Sequence, residues 1–199
     1  MTTTTWELLD QAYETLREAV AGVPADGWGR PTPCTQWNAA QVLRHAAGDQ
    51  LAYAARLTGG PGPAEDPFAP SGTLAGPPRS LLDPALAAAA EAFAGVAPAD
   101  PAVAVPLPPF SVPAETAVGA AALDAAVHAW DIAVATGRPP ALTDALAAAL
   151  RPAADALTEP LRGFAYGPAF PLAPGADQGA AAALLAFLGR DPGWAAPAA

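Results

Sequence analysis

The chain contains no lysine; all nine of its basic residues are arginine, against 19 acidic residues, giving a formal charge of −10 over 199 residues. A surface of that sign repels a phosphate backbone and no basic stripe offsets it, so nucleic acid is excluded as an expected partner. Cysteine is reduced to Cys34, which rules out an internal disulfide and a cysteine-based zinc cluster. Apolar runs with the length and hydrophobicity of a membrane span are also missing, because Pro, Asp and Glu break the alanine-rich windows. The segment Met1–Trp6 has no basic region followed by an apolar run, so no signal peptide is expected. No membrane association and a cytoplasmic setting are the corresponding expectations.

Hydrophobic residues make up 52% of the chain, much of it alanine, so helices can pack closely while large core residues stay few. The length fits one domain with a substantial core. We read residues 1–199 as a single all-α domain, with 1–140 as the bundle carrying the site and 141–199 as a C-terminal helical extension.

The first helix is expected from about Thr5 to Gly22, since Trp6, Leu9, Tyr13, Leu16 and Val20 recur at helical spacing. Asn38 with Gln41 three residues on forms a capping-box signature for a second helix, which runs to Thr58 before Gly59-Gly60. Residues 60–79 form a long Pro/Gly-rich stretch with Phe68 and Leu74 as anchors; a loop of that length is usually mobile or a cover over a site. A third helix, capped by Ser80 or Asp83, reaches Phe93. Residues 97–113 read as an extended connection in which Pro106, Pro108 and Pro109 argue against a central strand. Ala114–Thr136 is the fourth helix, Thr143–Leu157 the fifth with Pro152 bending it, and Asp177–Leu188 the last.

The chain has two histidines, His45 on the second helix and His128 on the fourth. Asp124 and His128 are spaced i, i+4 and leave one helix face as neighbours, with Asp131 within roughly 40° of Asp124 on a stripe of alanines. Leu123, Val127, Trp130 and Val134 form a separate bulky stripe that fills the core. On the second helix Asp49 and Arg56 project beside His45. Two imidazoles and one carboxylate from facing helices suit Zn²⁺ or a similar divalent ion, with a coordination position left for water or substrate. A D-x-x-x-H pair also arises by chance, and an interior histidine is often a hydrogen-bonded core residue, so spacing alone leaves both readings open. Asp49 and Asp131 can orient a ligand imidazole or act as general bases, or be solvated helix charges. Arg56 can hold a substrate carboxylate, or form a surface ion pair. Cys34 has no sequence neighbour that would lower its pKa and reads as a packing residue. Trp37 and Trp130 read as core.

Four segments, Pro31–Trp37, Asp124–Asp131, Ala135–Arg138 and Leu188–Trp194, together resemble the actinobacterial DinB/YfiT-like metal-binding family related to the N-terminal domain of mycothiol-dependent maleylpyruvate isomerase. The resemblance implies a four-helix bundle with additional C-terminal helices and long Pro/Gly-rich connections. It carries the family's metal ligands onto His45, Asp124 and His128. The isomerase-like relatives have glutamate where this chain has Asp124, so its shorter arm predicts an ion that is more open, water-linked or more weakly held. Mycothiol is the implied co-substrate, and the expected activity is a metal-dependent thiol S-transferase or isomerase acting on a small electrophile. The coordinated thiol would lose its proton and attack that molecule. Two rivals stand beside this reading: a non-catalytic metal- or ligand-binding bundle, and a metal-free enzyme using Asp49, Asp124 or Asp131 for acid–base chemistry. A small molecule or thiol is the expected partner, with a homodimer left open.

Overall fold

The structure, a computed structural model, describes residues 6–172 and 178–197. Its elements are α1 (Glu7–Ala21), α2 (Ala39–Thr58), α3 (Pro78–Ala94), β1 (Val103–Ala104), β2 (Ser111–Val112), α4 (Ala114–Ala135), α5 (Asp144–Leu157) and α6 (Gly179–Phe187). The fold is all-α apart from the short antiparallel ladder of β1 on β2, in which Val103 pairs with Val112 and Ala104 with Ser111. The expected helix starts at Thr5 and Asp177 lie outside the described residues.

The centre is α4, which packs against α1, α2 and α5 and touches the ladder. Its alanines let three helices approach closely, and a helix that is apolar on all sides must be buried. By length and composition α4 could cross a membrane, contrary to the sequence expectation, but 89% of its apolar window is buried inside the bundle. It is a core helix. The contact with α5 is tightest at Gly119, where a Cβ would lie 2.7 Å from that of Ala153. The division into two stripes holds only in part. Trp130 is fully buried core, whereas Leu123 and Val127 also line a cavity beside the ionisable residues.

Local signals explain most helix ends. The Asn38 side chain accepts from the Gln41 N–H at 2.9 Å, and Gln41 Oε1 accepts from the Asn38 N–H at 3.0 Å. The left-handed Gly59 (φ 73°) closes α2. Thr143 caps α5 through the Leu146 N–H at 3.2 Å, and Pro152 lies within that helix. α3 starts earlier than the Ser80 or Asp83 expected: Pro78 opens it, where a missing N–H costs nothing. Ser80 instead donates to the Pro77 carbonyl, and Asp83 pairs with Arg79. The prolines of 106–109 sit between the strands, so the segment read as an extended connection folds back and pairs 103–104 with 111–112.

The C-terminal helices share the main core, with Leu146, Leu150, Leu184 and Leu188 in the same apolar cluster as α1–α4. Just beyond α5, Thr158 is fully buried and its hydroxyl meets no partner among the described residues. A buried unsatisfied hydroxyl costs about 1–3 kcal/mol. Thr158→Val, which keeps the shape and removes the hydroxyl, should therefore raise the thermal midpoint by a few degrees in a melting experiment; a lowered midpoint would contradict this.

Candidate metal centre

His45 from α2 and Asp124 and His128 from α4 meet at the floor of the cavity. Asp124 Oδ1 lies 3.7 Å from His45 Nε2 and 3.3 Å from His128 Nε2. The three donor atoms lie within 4.8 Å of one another. Donors around a tetrahedral zinc with bonds near 2.1 Å are about 3.4 Å apart, so the two carboxylate–imidazole separations suit one ion.

The tautomers point the same way. His45 Nδ1 is 2.9 Å from the Pro67 carbonyl, which can only accept, so Nδ1 carries the proton and Nε2 presents its lone pair. His128 Nδ1 is 2.9 Å from Asp131 Oδ2, and that carboxylate holds its proton in the same way. Asp124 is steadied on its other oxygen: Gln50 Nε2 donates to Oδ2 at 3.1 Å, and Tyr13 donates to Gln50 Oε1 at 2.6 Å. Each donor is thus fixed by a second group behind it, the arrangement that orients metal ligands. Without an ion the same atoms make a buried ion pair. Burial opposes the charge on His128, but the adjacent Asp124 overrides it and raises its pKa well above the usual range. Burial, with the charge of His128, lowers His45 to about 4.

Loop 60–77 behaves as the cover alternative expected. The cap residue Asn38 and the α2 residues Gln41 and Arg44 donate to the carbonyls of Gly72, Pro70 and Thr73, and Arg44 also pairs with Glu65. Gly48 makes this possible near His45, since a Cβ there would come within 3.1 Å of Pro67. Phe68 then reaches the His45 ring at 5.5 Å between centroids, and Trp37 approaches it from the other side at 4.7 Å.

Asp49 joins the site at its edge, with Oδ2 3.7 Å from His45 Nε2. Burial and the Asp124 charge push its pKa well up, favouring the neutral acid. Asp131 is fully buried and bonded to His128, so it is not a solvated helix charge. It also receives both arms of Arg190, Nε to Oδ1 and Nη2 to Oδ2, each at 2.9 Å. Burial would raise the Asp131 pKa, but Arg190 and His128 outweigh it and hold the carboxyl below its usual range.

Three sequence expectations need correction. Cys34 is not an isolated packing residue; its thiol donates to Asp131 Oδ2 at 3.3 Å and accepts from Arg190 Nη2 at 3.5 Å at the cavity wall. Trp37 is cavity lining rather than core. Arg56 lies outside the cavity, exposed, with its guanidinium 5.9 Å from the Phe110 ring centroid. One turn beyond Tyr53, it leaves α2 where the helix has passed the site. Arg190 and Gln50 were not singled out from sequence. Arg190 stands in the Gly189-Arg190-Asp191-Pro192 turn, an otherwise unremarked arginine that only the tertiary fold brings to Asp131. Among the described residues a second group with metal-ligand spacing is Cys34, His128 and Asp131. Its atoms already bond one another and Arg190, whose charge opposes a cation there.

The cavity measures about 480 Å³. Besides the polar floor it is walled by Trp37, Phe68, Leu107, Leu123, Val127 and Phe164. Leu157, Leu161, Tyr166 and Arg190 line it too, so residues beyond 140 reach the cavity although His45, Asp124 and His128 all lie within 1–140.

Two imidazoles and a carboxylate thus converge from facing helices, the way sites in helical bundles are built. Residues 9–133 match the mycothiol maleylpyruvate isomerase N-terminal domain family, and the chain belongs to that family. It is 34% identical over 191 residues to the uncharacterized proteins Rv0738 and MT0763 of two Mycobacterium tuberculosis strains, covering 90% of this chain and 94% of each relative. No solved structure matches the chain.

Proposed function

We propose that His45, Asp124 and His128 hold a divalent cation, Zn²⁺ by its ligand preference, and that the protein joins a low-molecular-weight thiol to a small electrophile or isomerises one through such an adduct. The observation that carries this reading is the convergence of two imidazole Nε2 atoms on Asp124 Oδ1 while both Nδ1 protons are given to other acceptors. The family's name makes mycothiol the thiol of choice. A bound divalent ion would supply Lewis acidity, lowering the pKa of a thiol that reaches it.

The chain's own residues do the rest. Asp131 and the Pro67 carbonyl each hold an Nδ1 proton and so turn the Nε2 atoms towards Asp124, whose other oxygen is held by Gln50. The aromatic wall excludes water and holds the electrophile. Asp49, at the mouth of the ligand set and favoured as a neutral acid, is placed to pass a proton to or from the reacting molecule.

The test is conjugation of mycothiol to chlorodinitrobenzene by untagged protein. Turnover above the uncatalysed rate, abolished by a chelator and restored by Zn²⁺, is expected. Stoichiometric metal with mycothiol binding but no conjugation of any electrophile would overturn catalysis in favour of a binding protein.

A further inference from the structure

Two buried tyrosines stand near the Asp124 carboxylate, and they differ. Tyr13 donates its proton to Gln50. Tyr53, only 7% exposed, lines the cavity, and its hydroxyl has no hydrogen-bond partner among the described residues. That hydroxyl lies within the field of both Asp124 and Asp49. Buried tyrosine hydroxyls normally find a partner, so one left open beside a cavity is a donor awaiting a ligand.

The charge of the lining adds a second constraint. Among the described residues, Arg190 is the one arginine that lines the cavity, and its Nε and Nη2 donate to Asp131, whose carboxylate balances its charge. Arg56 is turned away onto Phe110. No cationic side chain of the lining is left with an unbalanced charge, and a ligand carrying two carboxylates would bring net negative charge to a wall that includes Trp37, Phe68 and Phe164. An anion desolvated on such a wall without a partner is strongly disfavoured. The volume, about 480 Å³, is within the range of small-molecule pockets.

We propose that the cavity binds a small uncharged molecule, aromatic or otherwise apolar in bulk and bearing one hydrogen-bond-accepting oxygen of the ketone type, and that the Tyr53 hydroxyl donates to that oxygen. This goes beyond the thiol reading by giving the class of the second substrate, and it rests on the cavity and Tyr53 rather than on the ion. It separates this chain from a dianion such as maleylpyruvate, for which the lining offers no cationic side chain with unbalanced charge. Tyr53 touches the ligand directly and sits on the same helix as His45, two turns on, so the ligand oxygen is held next to the proposed ligand set.

Calorimetric titration of the full chain, with its metal content recorded, tests this with three probes. They are 4-phenyl-2-butanone, toluene, which lacks the oxygen, and phenylsuccinate, which is a dianion. The ketone should bind more tightly than either of the others. Tyr53→Phe should weaken the ketone about tenfold and leave toluene unchanged, since only a hydrogen bond is removed. A purely structural role for Tyr53 would weaken both apolar probes together. Tighter binding of phenylsuccinate, no binding of the ketone, or equal effects of Tyr53→Phe on ketone and toluene would each overturn the proposal. Repeating the titration on chelator-treated protein keeps its failure distinct from failure of the metal reading, because ketone binding is expected to persist there.

Discussion

Elemental analysis of untagged His128→Ala protein is expected to find less than a tenth of the metal in the wild type, with the helical circular dichroism unchanged. His128 supplies one of three donors, and the loss of a donor must cost more than the roughly 10–100-fold that follows loss of a group behind a ligand. The fold should survive because the small alanine leaves Asp131 still bound by Arg190, and the space vacated adjoins an existing cavity rather than closed core. His45→Ala and Asp124→Ala should lose metal similarly. Asp124→Glu is the informative opposite: it restores the arm length that the sequence resemblance assigns to the family, and should retain or strengthen binding. The 3.3 and 3.7 Å separations show that the aspartate already reaches both imidazoles. Equal metal content in wild type, His45→Ala, Asp124→Ala and His128→Ala would sink the site.

What the sequence disclosed, and what it hid, follows from the range of the interactions. Asn38, Gln41, Gly59 and Thr143 announce their helix ends because a cap is made within four residues. Asp124 and His128 were legible as a pair for the same reason, and Asp131 fell on their face by helical projection alone. His45 needed the second histidine and the family pattern. Nothing local connects Arg190 to Asp131 or Gln50 to Asp124; those contacts span 59 and 74 residues. Gln50 lies about 140° round α2 from His45 by projection, which suggested a different neighbourhood. In fact α4 crosses close enough to collect both. Arg56 failed the other way: it shares the face of His45 in projection, but it lies about three turns along α2 from it, one turn beyond Tyr53 and outside the cavity. Projection fixes direction around a helix, not position along the neighbour that closes the site.

The second large effect concerns Arg190. Its removal in Arg190→Ala should destabilise the protein by about 3–5 kcal/mol, because it leaves the fully buried Asp131 carboxylate without its cation. The same change should weaken metal binding roughly 10–100-fold, since Asp131 then swings free of the geometry that holds the His128 tautomer. The two consequences can be separated. Replacing the pair together, Arg190→Met with Asp131→Leu, removes both buried charges and should recover most of the lost stability. It cannot recover the acceptor for His128 Nδ1, so metal affinity should stay low. Arg190→Lys keeps the charge but not the two-armed fork, and should fall between wild type and alanine in both measurements. Thermal unfolding and metal titration of the four proteins decide the matter. If the double variant regains metal affinity along with stability, Asp131 is a structural partner of Arg190 only, and the imidazole is positioned by its helix alone. If it regains stability alone, a residue of the C-terminal tail governs a centre built on α2 and α4, and the extension is part of the site.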